Sequence, residues 1–191
     1  MRVTGGRARG IPLKIPKDKR IRPALDQVRE SIFSSIGASI ENAVVLDLFS
    51  GTGSYGLESL SRGARSVTMI ELEKQSTQTI RTNLVAVQKS MQLSAPKVDV
   101  TIHCCNVLQW QPILPNSFDY VFADPPYSIL VEIQDGLFEL ARNSLQKEGI
   151  LWLEAPGEYD FIPDGWVLLK KKGGKRGSPS ILKYQMASFS S

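Results

Sequence analysis

The sequence contains few of the residues from which metal centres and disulfide frameworks are built. Its two cysteines, Cys104 and Cys105, are adjacent, and His103 is its single histidine. A disulfide between adjacent cysteines is strained, and two neighbouring sulfurs alone do not make a zinc site. We therefore expect free cysteines at a strand end, no metal, and a histidine that belongs to a strand rather than acting as a base.

Long apolar segments are also missing. No run approaches the roughly 20 apolar residues that span a bilayer, and the first six residues lack the apolar stretch of a signal peptide. At 191 residues, with 42% apolar and 22% charged residues, the chain has the composition of an ordinary globular protein with one sizeable core. These features predict a cytoplasmic protein.

Acidic residues are scarce at both ends of the chain. Residues 1–30 carry nine Lys or Arg against three Asp or Glu, and residues 170–191 carry six against none. The middle, residues 31–169, carries eight basic and sixteen acidic residues, so the net charge of +4 hides two basic ends on an acidic body. This partition favours a polyanionic partner, and the alternative is that the ends are solvated, partly disordered tails.

Proline and glycine interrupt the first 23 residues, which favours short extended pieces and a hairpin around residues 9–15 over long helices. From residue 26 onwards apolar residues recur at three- and four-residue spacing. This pattern predicts an amphipathic helix over residues 26–40 with Asp26 as its N-cap. We therefore predict a basic N-terminal extension, residues 1–25, followed by one domain, residues 26–191.

Apolar segments typical of strands alternate with helical segments through the rest of the chain. The predicted strands cover residues 44–49, 67–71, 98–104, 118–123, 150–154, 166–172 and 181–186, and the predicted helices residues 57–61, 74–88 and 133–145. Strands that alternate with helices form parallel sheets, whereas the last two strands follow each other directly. The predicted fold class is α/β: a Rossmann-like, doubly wound, mostly parallel seven-stranded sheet with a C-terminal antiparallel hairpin.

A glycine-rich turn follows the first strand. Gly51, Gly53 and Gly56 have the spacing of the dinucleotide-binding fingerprint, and Glu71 lies 20 residues after Gly51. Such a turn lets the backbone approach a ligand closely, and an acid at the end of the second strand can bind both hydroxyls of a ribose. The pattern fits a nicotinamide dehydrogenase and an enzyme that uses an adenosyl cofactor equally well.

A carboxylate inside the first strand distinguishes these two cofactors. Asp47 lies four residues before Gly51. It favours a cationic ligand at the turn, and S-adenosylmethionine carries a sulfonium and an ammonium group, whereas NAD brings two phosphates there. We therefore favour S-adenosylmethionine, with a role in bracing the turn as the alternative for Asp47.

The fourth predicted strand ends in Asp124-Pro125-Pro126-Tyr127, where two prolines end the ladder of hydrogen bonds. Ligands of open α/β sheets bind at this end of the strands. A carboxylate and the Pro125 carbonyl can accept the two hydrogens of an exocyclic amino group, and Tyr127 can stack on a base that has left its helix. The motif thus predicts methyl transfer to a planar amine, and a simple strand stop with a surface turn is the alternative.

Together these residues resemble the class I S-adenosylmethionine-dependent methyltransferases that act on planar amino groups. The resemblance is narrower in three further segments: Gly5-Gly6 with Arg9-Gly10, residues 22–23 with residues 28–33, and residues 56–64. These resemble the bacterial 16S ribosomal RNA guanine-N2 methyltransferases of the RsmD family. The resemblance spans nearly the whole chain and implies methylation of the exocyclic N2 of one guanine in small-subunit RNA.

The resemblance also implies which residues form the sites. The target base is expected at Asp124, Pro125, Pro126 and Tyr127. The cofactor is expected at Asp47, Ser50, Gly51, Thr52, Gly53, Glu71, Leu72, Asn106 and Val107. For RNA we expect contacts from Arg7, Arg9, Arg20, Arg22, Lys175 and Arg176.

Two positions depart from the pattern of the family. Ala24 stands where many relatives carry threonine, and Asn106 stands where an acid often contacts the adenine amino group. The amide oxygen of Asn106 can still accept that hydrogen bond. Arg22 and Arg29 are expected either to position phosphate or the cofactor edge, or to pair with Asp26 and Glu30 on the helix surface.

Other functions remain open from the sequence alone. Adenine-N6 and protein glutamine methyltransferases favour Asn rather than Asp in the Asp-Pro-Pro-Tyr motif. A non-catalytic RNA-binding factor of ribosome assembly is an alternative from another class, and a dehydrogenase is the least favoured. The expected partner is 16S ribosomal RNA or the small ribosomal subunit, and the chain is expected to act as a monomer.

Overall fold

The computed structural model describes residues 1–16, 24–92, 99–175 and 177–187. They fall into two compact units, Met1–Val107 and Leu108–Ser191. None of the helices in the described ranges is both long enough and apolar enough to span a membrane. The predicted boundary at residue 25 adjoins residues 17–23, which lie outside the described ranges, and that division of the chain stays a prediction.

The first unit alternates helices and strands. Its elements are α1 (Ala24–Ile36), a 3-10 turn (Gly37–Ile40), β1 (Val44–Leu48), α2 (Ser54–Ser61), β2 (Ser66–Glu71), α3 (Lys74–Ser90) and β3 (Asp99–Cys104). The three strands are parallel in the order β3-β2-β1. The interior of β1 is buried on both faces because helices cover this sheet, as its continuous apolar sequence predicts.

Helix α1 differs from its prediction at both ends. It begins at Ala24, so Asp26 lies in its first turn instead of capping it. It ends at Ile36 because Gly37 adopts a left-handed φ of 62°, and the predicted stretch up to residue 40 becomes a 3-10 turn.

The N-terminal segment, residues 1–16, forms a hairpin-like loop that is wider than predicted. Arg2 and Pro12 make an antiparallel bridge, supported by backbone bonds from Val3 to Ile11 and from Gly10 to Val3. The segment packs on α2, where the Ser61 hydroxyl donates to the Gly5 carbonyl (2.6 Å) and accepts from the Ala8 amide (2.8 Å).

A buried ionic cluster joins this segment to α1 and α2. Glu58, with 0% of its side chain exposed, accepts hydrogen bonds from Arg29 Nε (3.3 Å), Arg62 Nε (2.8 Å) and both the amide and the hydroxyl of Thr4. Arg29 is 1% exposed and also pairs with Asp26 at 2.9 Å. Of the two alternatives for Arg29, pairing with Asp26 is therefore realised, but the guanidinium is buried rather than on the helix surface.

The second unit has four strands and one long helix. Its elements are β4 (Phe118–Ala123), α4 (Tyr127–Ser144), β5 (Leu145–Pro156), β6 (Trp166–Lys172) and β7 (Pro179–Met186), in the order β4-β5-β7-β6. Strands β4 and β5 are parallel, and β7 runs antiparallel to both β5 and β6. Two predicted starts are wrong: α4 begins at Tyr127 rather than at residue 133, and β5 begins at Leu145, which pairs with Phe118, rather than at residue 150.

The strand directions in the two units agree with the predicted fold class. Within each unit the consecutive strands linked through helices are parallel, and the two C-terminal strands form an antiparallel hairpin. The carboxyl ends of β1, β2 and β4 carry Asp47, Glu71 and Asp124, so each of these acids lies at or next to the end where ligands of such sheets bind.

Candidate functional site

The glycine-rich turn between β1 and α2 has an unusual backbone. Phe49, Gly51 and Gly53 all have positive φ, at 57°, 57° and 78°. A left-handed conformation is strained for a bulky residue such as Phe49 and is found mostly at functional sites. Gly56, one turn into α2, packs so tightly that a Cβ would lie 2.8 Å from the sulfur of Met69 on β2. The turn is therefore held close to the strands.

Glu71 braces this turn from the end of β2. It is 5% exposed, and its Oε2 accepts a hydrogen bond from the Gly51 amide at 2.7 Å, while Oε1 accepts one from the Glu73 amide at 2.8 Å. Each carboxylate oxygen has a second lone pair, so the group retains the capacity to accept from further donors. The structure thus brings together two predicted cofactor residues, Glu71 and Gly51.

Asp47 is fully buried at the end of β1. Its Oδ2 accepts a hydrogen bond from the Gly56 amide at 2.9 Å, so it braces the turn and the start of α2. Burial raises the pKa of this carboxyl to about 7; the bond from Gly56 opposes the rise, and the nearby charge of Glu71 adds to it. A cationic ligand would relieve this penalty, because it favours the ionised form of Asp47.

Ser50 and Thr52 have partners within the fold. The Ser50 hydroxyl lies 2.7 Å from the Asp47 carbonyl and 3.1 Å from the Ile70 carbonyl, so it ties β1 to β2. The Thr52 carbonyl accepts a hydrogen bond from Asn83 Nδ2 at 3.0 Å. These contacts show a structural role for both residues, and their cofactor roles stay predictions.

The remaining predicted cofactor residues lie after β2 and β3. Leu72 directly follows Glu71 and leaves 61% of its side chain exposed, an apolar surface beside the acid. Asn106 is exposed, whereas Val107 is buried. The Cys105 amide donates to the Glu71 carbonyl at 3.0 Å, which joins the two strand ends.

The Asp-Pro-Pro-Tyr motif lies in the second unit, directly after β4. Asp124 and Tyr127 are half-buried, Pro125 is buried and Pro126 is exposed. Pro126 is the N-cap of α4, with φ −55° and ψ 128°, and its carbonyl accepts from the Ile129 amide at 3.1 Å. The motif is therefore a rigid strand-to-helix turn.

Glu154 belongs to the same region of the second unit but was not singled out in the sequence. It lies on β5, is 3% exposed, and its Oε1 lies 3.4 Å from the Tyr127 hydroxyl. The parallel register pairs Ala123 with Leu153, so Asp124 and Glu154 each directly follow a paired residue of adjacent strands, and β5 continues to Pro156. An acid directly after the apolar run of residues 150–153 is the signal that could have found it.

The predicted RNA contacts are only partly described. Arg9 and Lys175 are exposed, and Arg7 is exposed while its guanidinium donates to the Met91 carbonyl at 2.7 Å. Arg20, Arg22 and Arg176 lie outside the described residues. Binding of RNA by these six residues stays a prediction.

Sequence reasoning also missed Asn83 on α3. It lies between Ile80 and Val87 on the buried face of the helix and is 1% exposed. A polar residue at an apolar position of a helix usually has a specific partner. The position of Asn83 three residues after Ile80 and four before Val87, on the apolar face of α3, is the signal that could have identified it.

Comparisons with known proteins support this assignment of the fold and identify the family. Residues 1–184 match the protein family described as Conserved hypothetical protein 95. A ribosomal RNA small subunit methyltransferase D from Haemophilus influenzae is 31% identical over 90% of this chain and 88% of its own.

Solved structures share this fold. The structure named "Putative methyltransferase yhhF from Escherichia coli" has a TM-score of 0.78 and 29% identity, covering 99% of both chains. A more distant structure, named "SMU.776, a putative methyltransferase complexed with SAH", shares the fold with a TM-score of 0.59 and 15% identity over 87% of this chain and 50% of its own.

The family match, the curated relative and the Escherichia coli structure confirm the predicted fold class and the methyltransferase class, and with that class the prediction of S-adenosylmethionine as cofactor. The family match also extends over the N-terminal glycines and arginines on which the narrower resemblance rested. The chain belongs to the family of the ribosomal RNA small subunit methyltransferases D.

Proposed function

We propose that this chain transfers a methyl group from S-adenosylmethionine to the exocyclic N2 amino group of a guanine in 16S ribosomal RNA. Ribosomal RNA methylation is the activity of the family; the choice of guanine N2 is our proposal. The observation that carries methyl transfer to a planar amine is the rigid turn after β4, where Asp124 and Tyr127 follow the strand end. The narrower choice of guanine N2 is supported by the family resemblance of the segments that begin at Gly5, Arg22 and Gly56.

The first unit is proposed to bind the methyl donor, S-adenosylmethionine, and the chemistry of its residues fits this molecule. When bound, S-adenosylmethionine supplies a methyl group on a cationic sulfur. Asp47, whose burial disfavours its charged form, gains from a nearby cation. Glu71 has lone pairs left for ribose hydroxyls, and Leu72 offers an exposed apolar surface for an adenine ring.

The remaining predicted donor contacts come from the backbone of the turn and from the end of β3. Ser50, Gly51, Thr52 and Gly53 supply backbone groups where a glycine backbone allows close approach. The amide oxygen of Asn106 is proposed to accept from the adenine amino group, and the Val107 backbone to lie along the ring.

The turn after β4 is proposed to bind the target base. The Asp124 carboxylate and the Pro125 carbonyl accept hydrogen bonds from the amino group, which localises the nitrogen lone pair for attack on the methyl group. Once the nitrogen carries the methyl group it must lose a proton, and the Asp124 carboxylate is proposed to accept it. Pro125 and Pro126 hold the turn rigid, which lowers the cost of reorganisation.

Basic side chains of both chain ends are proposed to bind the RNA backbone. Arg9 and Lys175 are exposed, and Arg7 keeps further N–H donors beyond its bond to Met91. Arg20, Arg22 and Arg176 are proposed for the same role. The salt dependence of RNA affinity reports how many of these residues meet phosphate.

The decisive experiment measures methyl incorporation from labelled donor into naked 16S RNA and into small subunits that lack the modification. Primer extension then maps the product. We expect wild-type label on one guanine and loss of incorporation in Asp124→Ala. Asp119→Ala is the matched control and should retain activity. Asp119 is an acid of β4, the strand before Asp124, and its carboxylate accepts a hydrogen bond from Gln146.

Each other outcome contradicts a defined part of the proposal. Label on adenine or on protein overturns the choice of guanine, and full activity of Asp124→Ala overturns the role of that residue. Donor binding without any transfer identifies an assembly factor. We further propose that the enzyme acts in the cytoplasm and that it is a monomer. Sedimentation of the purified chain tests the oligomeric state.

A further inference from the structure

Asn83 connects the N-terminal segment to the glycine-rich turn. Its Oδ1 accepts a hydrogen bond from the Lys14 amide at 2.8 Å, and its Nδ2 donates to the Lys14 carbonyl at 3.0 Å. The second hydrogen of Nδ2 is donated to the Thr52 carbonyl, also at 3.0 Å. A single side chain on α3 thus bonds to residue 14 on one side and to the turn on the other.

The orientation of this amide is fixed by its partners. In the reverse orientation the amide oxygen would face two carbonyl oxygens, and the NH₂ group would face the Lys14 amide. The side chain is 1% exposed with residue 14 in place, so all three of its hydrogen bonds are made to protein groups. Undocking of residue 14 removes two of the three hydrogen bonds that hold Asn83 beside the turn.

A second contact reaches the turn from the same segment. The sulfur of Met1 lies 3.2 Å from the Thr52 hydroxyl, and the Met1 carbonyl accepts from the Leu13 amide at 3.1 Å. Residues at both ends of the hairpin-like loop thus meet Thr52, directly or through Asn83. The bonds from Glu58 and Ser61 hold the segment on α2 without touching residues 50–53.

We propose that Asn83 is a positioning residue that couples the N-terminal segment to the methyl-donor site. It holds the Thr52 carbonyl, and with it the turn, in the conformation that binds the donor, and it does so fully only while residue 14 is docked. This inference rests on the proposed function in one respect: the segment carries Arg7 and Arg9, the proposed RNA contacts. RNA that stabilises the docked segment then also tightens binding of the donor.

The coupling is reciprocal by thermodynamic necessity. If docking of the segment favours donor binding, then donor binding must favour docking of the segment by the same factor. The Lys14 amide reports docking directly, because its N–H donates to Asn83 and exchanges with solvent when that bond opens. The effect is therefore measurable without RNA.

The first test compares Asn83→Ala with Ser61→Ala. Each variant removes a buried side chain that makes two hydrogen bonds to the N-terminal segment, but only Asn83 also bonds to Thr52. We expect Asn83→Ala to weaken S-adenosylmethionine binding about tenfold in calorimetric titration, within the usual range of coupling. Ser61→Ala should change it less than about twofold. Equal effects of the two variants, or none, overturn the proposal.

The second test follows amide exchange over residues 8–16. In the wild-type protein S-adenosylmethionine should slow exchange of this segment, and in Asn83→Ala, measured with the donor at saturation, it should not. Asn83→Ser provides a further variant if the alanine variant does not fold, since a single hydroxyl donates one hydrogen and cannot donate to both the Lys14 and the Thr52 carbonyls. Donor-dependent protection that persists in these variants overturns the role of Asn83, and its absence in the wild-type protein overturns the coupling itself.

Kinetics separate positioning from general loss of structure. At saturating RNA, Asn83→Ala should raise the KM for S-adenosylmethionine while kcat stays near the wild-type value. A fall in kcat alone would contradict a positioning role. Because donor affinity and exchange are measured without RNA, their failure overturns the coupling alone, whereas absence of guanine methylation by the wild-type enzyme overturns the proposed function.

Discussion

The hydroxyl of Tyr127 lies 3.4 Å from Oε1 of Glu154, a buried acid on β5. Tyr127 is the first residue of α4, so its ring is fixed at one end by the helix backbone and at the other by this contact. Glu154 thereby orients the ring that is proposed to stack on the target base. Asp124 and Tyr127 are the first and last residues of one strand-to-helix turn in the second unit, and both are half-buried.

This relationship predicts different roles for the ring and for the hydroxyl. Tyr127→Ala removes the stacking surface, which is worth about 1–3 kcal/mol per base. It should therefore raise the KM for RNA about tenfold or more. Tyr127→Phe keeps the ring and should change the KM by no more than about threefold, as expected for one weak hydrogen bond. Steady-state kinetics at saturating donor check both; an unchanged KM in Tyr127→Ala would exclude stacking.

Local patterns in the sequence predict much of this site. An acid at or next to the end of an apolar strand, followed by glycine, proline or a helix, marks Asp47, Glu71 and Asp124, and all three lie where the strand pattern puts them. Such features depend on neighbours within a few residues. The same holds for the alternation of strands and helices from which the fold class follows.

Contacts between distant residues are what the sequence did not predict. The bond of Arg29 to Glu58 spans 29 residues, and those of Asn83 to Lys14 span 69. The pattern shows a charge or an amide on an apolar face but not which of many possible partners it meets. The early start of β5 has a similar cause. Leu145 belongs to the strand because it pairs with Phe118 of β4, which lies 27 residues earlier in the chain.

The Arg29–Glu58 pair should be essential for stability. Arg29→Met leaves the fully buried Glu58 carboxylate without one of its two cations, and loss of one partner of a buried pair typically costs about 3–5 kcal/mol. We expect a loss of that order in the free energy of unfolding by urea. Arg81→Met is the control, since Arg81 is exposed on α3 and should change stability by less than about 0.5 kcal/mol. Similar values for the two variants would contradict the structural role of the pair.

Docking of the N-terminal segment requires a glycine at position 6. Its φ is 74°, and a Cβ there would lie 2.1 Å from the Ser61 carbonyl oxygen, the acceptor for the Arg7 amide. Gly10 has a similar φ of 89° but nothing within 4 Å of a Cβ. Gly10→Ala should therefore cost about 1–2 kcal/mol for the left-handed backbone alone. Gly6→Ala should cost clearly more because the backbone must move, and equal losses in urea unfolding would disprove the close contact.

The raised pKa of Asp47 determines how the stability of the folded protein depends on pH. An aspartate with a pKa near 3.8 when unfolded and about 7 when folded binds its proton more tightly in the folded state. Its contribution to stability is present below the unfolded pKa and is lost as the pH rises to about 7. In the protein without ligand, Asp47→Asn should remove this loss, because the amide oxygen still accepts from Gly56 and carries no charge.

Donor binding should show the opposite dependence on pH. A cationic ligand favours ionised Asp47, so binding below pH 7 must release a proton, and affinity for S-adenosylmethionine should rise with pH until Asp47 is already ionised. Calorimetric titrations at about pH 6, 7 and 8, in buffers of different ionisation enthalpy, count that proton. In Asp47→Asn the affinity should be weaker near pH 8 and much less dependent on pH. A variant that keeps the wild-type slope and proton release would assign the titration to another group and remove Asp47 from the donor site.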